Sequence, residues 1–311
     1  MLQRFASDLS RQDFLACGVE LASVLGMDRD AAGERIDAWP DDVERFVASI
    51  DNPVLLTDAW RLAELAPRLR DTVFKLLESP VRTTEFRGVR LTFEQARWPG
   101  VWGPNIDTLL CCRALGDHGV DGVESAVELG SGSGFISKFL LTHAPKLRAM
   151  TLVDRHAGAA ACSRANVPDA RAEVICGDAT TALAGRRFDL VVTNPPYIPR
   201  PRSIADNAYE GVDLLAFLTQ QGADMLTPGG RIVTITSSLS AHLFEPMVAK
   251  SSLRARTLST TDVPLKVLNV LNNAEWLDYL RKARGVRCEV RDGYELWHEI
   301  RVVALEACAT L

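Results

Sequence analysis

From residue 105 onward, short apolar runs alternate with amphipathic stretches, and that alternation sets the architecture. The spacing predicts helices over Ile106–Asp117, Phe135–His143, Ala157–Ala165, Leu214–Leu226, Ala241–Ala249 and Ala274–Ala283. It predicts strands over Ser125–Leu129, Ala149–Val153, Ala172–Cys176, Leu190–Thr193, Arg231–Thr236, Arg254–Leu258 and Tyr294–Leu305. Apolar strands separated by amphipathic helices imply an α/β fold, with a mostly parallel sheet covered on both faces.

Upstream the period differs. Phe14, Leu15, Val19, Leu21, Ala22 and Leu25 recur at helical spacing, as do Val43, Phe46, Val47 and Ile50. Residues 1–80 therefore read as a small helical domain. Val81–Phe86 and Val89–Phe93 are β-rich and flank Arg87-Gly88, a hairpin signal. Trp98-Pro-Gly-Val-Trp-Gly-Pro104 cannot continue a regular element and reads as a linker. The organisation expected is thus 1–80 helical, 81–104 hairpin and linker, and 105–311 α/β.

The chain has 311 residues and a formal net charge of −5, which gives no global attraction to nucleic acid or an anionic membrane. Met1–Ser10 lacks the apolar core of a signal peptide, and no window reaches the ~20 apolar residues of a membrane span. Seven cysteines without a C-x-x-C pair read as reduced, mostly buried thiols of a cytoplasmic protein.

Four motifs follow the predicted strands. Glu128-Leu-Gly-Ser-Gly-Ser-Gly134 joins a strand to a helix, and its glycines and Ser131 let backbone approach a ligand closely. Phe135 stands where the dinucleotide fingerprint needs its last glycine. An acidic residue just before the glycines suits the cationic amino-acid end of S-adenosyl-L-methionine (SAM). The bland reading is a tight turn without a ligand. Asp154, 20 residues after Gly134, ends the next strand beside Arg155 and can accept bonds from ribose hydroxyls. Gly177-Asp178-Ala179 follows the third strand, where a carboxylate can accept an adenine amine. Either Asp also suits a helix N-cap.

Asn194-Pro-Pro-Tyr197 follows the strand that ends at Thr193. Two prolines forbid further pairing and stiffen the loop. The Asn194 side-chain oxygen and the carbonyls of Pro195 and Pro196 can hold an NH2 group. Tyr197 offers it a flat face.

This constellation resembles the class I SAM-dependent methyltransferases that act on planar nitrogens, over about residues 80–240. Within them it resembles the N5-glutamine methyltransferases, the HemK-like enzymes that modify release factors. That family implies a Rossmann-like seven-stranded sheet behind a small helical domain and a hairpin. It implies that Asn194 and Pro195 hold the acceptor amide, with Pro196 in the same loop and Tyr197 packed against it. It further implies that Glu128, Gly130, Ser131, Gly132, Gly134, Asp154, Arg155, Asp178, Ala179, Asn194 and Thr108 line the SAM site. Pro104-Asn-Ile-Asp-Thr108 resembles the family's P-R-P-D-T-E segment and Tyr209-Glu210 its Y/F-E-P segment. Asn105, Ile106, Leu109 and Gly211 depart from those patterns, and Val263–Arg284 adds a stretch with Trp276 and Tyr279.

The resemblance implies a glutamine-bearing protein or peptide as partner, a release factor among the candidates. An adenine-methylating enzyme of nucleic acid, a small-molecule N-methyltransferase and a catalytically dead SAM-binding module are the competing readings. The five histidines fall outside the motifs, and the chemistry calls for no metal. Arg200–Asp206 reads as a flap over the acceptor pocket or as a solvated loop.

Overall fold

A computed structural model describes residues 81–94, 97–98, 100–201, 211–265, 270, 273–291 and 294–308. The expected helical domain of residues 1–80 lies outside the described residues, as do Arg202, Asp206 and Tyr209-Glu210. By internal contacts the chain divides into two units. One comprises Met1–Thr84, Thr92–Pro99 and Lys266–Leu271; the other comprises Glu85–Leu91, Gly100–Leu265 and Asn272–Leu311. The second unit holds the sheet and the motifs.

Strands β1 (Val81–Phe86) and β2 (Val89–Glu94) form the expected hairpin. Its turn, Arg87-Gly88, has both residues at positive φ, 47° and 79°. The turn is fixed within the larger unit: Arg87 pairs with Asp117 at 2.7 Å, and His143 Nε2 lies 2.9 Å from the Arg87 carbonyl.

Helix α1 (Ile106–Asp117) precedes β3 (Ser125–Leu129), α2 (Phe135–His143), β4 (Ala149–Asp154), α3 (Ala157–Asn166) and β5 (Ala172–Cys176). There follow α4 (Ala179–Ala182), β6 (Phe188–Thr193), α5 (Asp213–Gln221) with a 3-10 turn (Gly222–Met225), and β7 (Leu226–Ser237). Helix α6 (Ala241–Ala249), β8 (Leu253–Pro264), α7 (Ala274–Lys282), β9 (Arg287–Arg291) and β10 (Tyr294–Ala307) complete the order.

The sheet runs β5-β4-β3-β6-β7-β10-β8. Neighbours from β5 to β7 pair in parallel; β10 is antiparallel to both β7 and β8. The seven expected strands form this path. The structure adds an eighth, β9, on the beginning of β10. Its sequence, Arg-Cys-Glu-Val-Arg, alternates over only five residues, and its two apolar side chains, Cys288 and Val290, stay exposed, so the pattern is too short to announce a strand. Strand β8 also outruns the expected Arg254–Leu258, because Ser259–Pro264 continue to pair with Trp297–Val302.

Val127, Leu129, Val153, Val191, Ile232 and Val303 from the strands bury together with Leu215 and Leu218 of α5 and Phe244 of α6. Helix α1 packs against β7 and β10, and α3 against β4 and β5. Cys111, Cys112 and Cys162 are buried, but Cys176, Cys288 and Cys308 are exposed, so the thiols are less buried than expected. The reason is position: Cys176 ends an edge strand, Cys288 lies in β9, and Cys308 follows the last strand. Among the described residues no helix is long and apolar enough to cross a membrane.

The strand order reverses at β3. The chain steps outward to β4 and β5, then returns to lay β6 on the other side. The carboxyl ends of β3 and β6 therefore flank a crevice, the place where α/β sheets bind ligands.

Candidate active site

Glu128 stands one residue before the end of β3 and is only 3% exposed. Its Oε2 accepts the Ser137 backbone N–H at 3.0 Å and also the Ser137 hydroxyl. Burial pushes its pKa up to about 8. The Ser137 bonds pull downward, and the charge of Asp154 adds to the rise. A carboxyl held this way gains a charge partner if a ligand ammonium group lies beside it.

The loop after β3 turns on Gly130, Gly132 and Gly134, with φ of 68°, 50° and 78°. Side chains rarely adopt this backbone region. A Cβ on Gly134 would also stand 2.8 Å from Val167 Cγ2. The Val153 carbonyl accepts from the N–H groups of Gly130 (2.8 Å) and Ser131 (3.2 Å). The Ser131 hydroxyl donates to Ser163 at 3.2 Å, pinning the loop to α3.

Asp154, at the end of β4, is 7% exposed. Its Oδ2 accepts the Gly132 N–H at 3.0 Å and its Oδ1 accepts the His156 N–H at 2.9 Å. One carboxylate thus fixes the glycine loop and the entry to α3. Asp178 caps α4 by accepting the Thr180 N–H at 2.8 Å and the Thr180 hydroxyl. These bonds, with the charge of Arg155, hold its pKa below the usual carboxylate value. Asp178 and Ala179 thus sit beyond β5, one strand over from Asp154, with Arg155 nearby.

Thr193, fully buried at the end of β6, donates from its hydroxyl to the Leu129 carbonyl at 2.7 Å. That bond ties the exits of β6 and β3 together. The next residues are Asn194, Pro195, Pro196 and Tyr197. Asn194 Nδ2 donates to Thr108 Oγ1 at 3.4 Å, and the Tyr197 hydroxyl donates to Asp107 Oδ2 at 3.2 Å. Burial, reinforced by the Asp107 charge, pushes the Tyr197 pKa well above its ordinary value. The ring therefore stays a neutral phenol, and it packs against the core cluster.

The first turn of α1 is itself well specified. Asn105 caps it, and the Asn105 N–H donates to Thr108 Oγ1 at 3.3 Å in a capping box. Asp107 Oδ1 accepts the Thr108 N–H at 2.7 Å while its other oxygen takes Tyr197.

The structure thus makes two groups of the singled-out residues. Glu128, Gly130–Gly134 and Asp154 gather around the β3 exit. Asn194 meets Thr108, and Tyr197 meets Asp107, at the start of α1. Asp107 belongs to the second group and went unassigned in the sequence. Its bond to Tyr197 spans 90 residues, and only its place beside Thr108 hinted at it. Ser137 was likewise missed, because a serine inside a helix carries no motif.

These features fit SAM. The β3 exit offers a buried carboxylate for a cation. The glycine loop offers open backbone, since a Cβ on Gly130 would meet nothing within 4 Å. Asp154 and Asp178 offer acceptors on the two adjoining strands.

Comparison with known proteins points to a methyltransferase. The family model described as "Methyltransferase small domain" matches residues 111–258. A release factor glutamine methyltransferase of Caulobacter vibrioides is 32% identical over 172 residues, covering 48% of this chain and 59% of that protein. Its counterpart in Bordetella pertussis is 33% identical over 153 residues, covering 43% and 56%. A ribosomal protein uL3 glutamine methyltransferase of Bradyrhizobium diazoefficiens is 28% identical over 128 residues, covering 36% and 40%. The matched region is thus less than two thirds of these relatives' own length. A protein described as a methyltransferase and solved with S-adenosylhomocysteine superposes with a TM-score of 0.50 at 15% identity, over 73% of this chain and 57% of that one. That likeness concerns the fold.

Proposed function

We propose that this chain, a HemK-like class I methyltransferase by fold and sequence, methylates the side-chain amide nitrogen of a glutamine in a protein. The observation that carries this reading is the Asn194–Tyr197 loop. It leaves β6 beside the glycine loop of β3, and the first turn of α1 braces it through Asp107 and Thr108.

When bound, SAM supplies an electrophilic methyl group on a sulfonium. Glu128 would face its ammonium group, the Gly130–Gly134 backbone would line its amino-acid end, and Asp154 would accept from the ribose. Asp178, with Arg155 and Ala179 beside it, would border the adenine.

The loop's task is to position a weak nucleophile. An amide nitrogen shares its lone pair with its carbonyl. Acceptors on its two N–H groups favour a pyramidal nitrogen and aim that lone pair. Asn194 spends its NH2 on Thr108, so its Oδ1 faces away from that contact and suits an incoming N–H. The Pro195 carbonyl is the second acceptor in this reading, and Pro196 holds the turn. Tyr197, neutral and anchored to Asp107, gives the amide a flat wall. Rate then comes from orientation and electrostatics rather than from a strong base.

The named relatives modify release factors and a ribosomal protein, and they support a protein acceptor here. The test is a panel. The protein is incubated with methyl-labelled SAM and, separately, release factor, ribosomal protein uL3, tRNA, rRNA and DNA. Label in a protein, recovered as N5-methylglutamine after hydrolysis, is expected. Label in nucleic acid alone would replace this reading with the adenine one.

A further inference from the structure

We propose that Trp276 is a positioning residue that fixes the acceptor loop from its far side, so that α7 belongs to the methyl-transfer machinery. The inference rests on the reading of Asn194–Tyr197 as the acceptor holder.

Trp276 lies in the first turn of α7 and is 2% exposed. Its indole N–H donates to the Pro199 carbonyl at 2.7 Å. The Arg200 guanidinium sits over the same ring, 4.2 Å from its centroid. One side chain therefore holds two consecutive residues just beyond Tyr197. An indole nitrogen can only donate, so this bond has one direction and one partner type.

Helix α7 is itself held firmly. Asn273 caps it by accepting the Trp276 N–H at 3.0 Å. The Tyr279 hydroxyl lies 3.0 Å from His242 Nε2 at the start of α6. The Ser238 hydroxyl, beyond β7, donates to the Gly285 carbonyl at 2.6 Å. A Cβ on Gly285 would stand 2.7 Å from Leu239 Cα, so backbone meets backbone there. The helix thus bridges the exits of β6 and β7 and carries Trp276 on a fixed base.

The loop is built to transmit that restraint. Pro195, Pro196 and Pro199 have fixed φ, which leaves few free torsions between Thr193 and Arg200. Thr108 and Asp107 hold its near end, and Trp276 holds its far end. A loop pinned at both ends keeps Asn194 and Tyr197 at one angle to the methyl donor.

The test compares the full chain with Trp276→Phe, which keeps an aromatic ring beside Arg200 but loses the N–H donor together with part of the indole's volume. Hydrogen exchange is followed at the amides of Asn194, Tyr197, Ile198 and Arg200, the non-proline residues of the loop, and over 105–109, SAM affinity by calorimetry, and turnover on the acceptor that the panel identifies. Faster exchange confined to those two segments is expected, with SAM affinity unchanged and the thermal midpoint lowered by no more than a few degrees. Turnover number should fall about tenfold with acceptor KM unchanged, the weight of one buried hydrogen bond lost from an aligned site. Unchanged exchange in the loop overturns the proposal, and so does unchanged turnover in a loosened loop. Loosening across the whole sheet also overturns it, because Trp276 would then be a core residue only. If no glutamine is methylated by the wild type, the proposed function fails separately. The exchange result still decides the clamp, confined loosening supporting it and unchanged protection refuting it.

Discussion

In the proposed site, Glu128 would serve binding at the expense of stability. It is buried, and among the described residues Ser137 supplies its two hydrogen bonds. The unfolded chain ionises it near 4.5, whereas the fold keeps its proton to about 8. The folded state therefore binds more protons than the unfolded state between those values. Stability from this group falls as pH rises through that window and levels off above it. Glu128→Gln should remove that fall, leaving the variant more stable than wild type at pH 8 by up to a few kcal/mol, while SAM affinity drops sharply. Thermal unfolding at pH 5 and pH 8, with calorimetric titration of SAM, checks both halves. A variant that binds SAM normally would remove Glu128 from the cofactor site.

At the scale of elements, the strand–helix turns carry the site, and the β3–α2 turn is the most demanding. Gly134→Ala would force a side chain into φ 78° and against Val167. It should cost about 2 kcal/mol or more, read as a lower denaturation midpoint, with weakened SAM binding. An undisturbed midpoint would contradict the geometry. The turns were legible in sequence because glycines and prolines leave few conformational choices, and the apolar strands announced themselves by period. Strand β9 was not legible, since its polar residues pair at an edge rather than into a core. Nor were the contacts Asp107–Tyr197 and Trp276–Pro199, which join residues 90 and 77 positions apart. Local pattern places elements at strand ends, and only tertiary folding decides which ends meet.

Over the whole molecule, a buried histidine contributes to the acid side of the stability profile. His298 on β10 has Nδ1 2.8 Å from Ser237 Oγ, and burial, aided by the Arg287 charge, lowers its pKa to about 4. The unfolded chain binds that proton near 6.5, so this group's contribution to stability falls as pH drops from 6.5 towards 4, opposing that of Glu128 where the two windows overlap. His298→Gln should remove that contribution, so the stability difference between variant and wild type should change with pH across that window, and a constant difference would refute the assignment. This effect lies at the β7–β10 pairing, away from the cofactor residues, and should leave SAM binding untouched. Under the proposed function, the β3 and β4 ends of the sheet would hold the methyl donor and its β6 end would aim the acceptor. The most direct test of that division is single-turnover methyl transfer by Asn194→Ala at saturating SAM. The account predicts a fall of about a hundredfold with SAM affinity unchanged, as when one preorganised polar group is removed from a reacting centre. Turnover equal to the wild type at full SAM occupancy would contradict it.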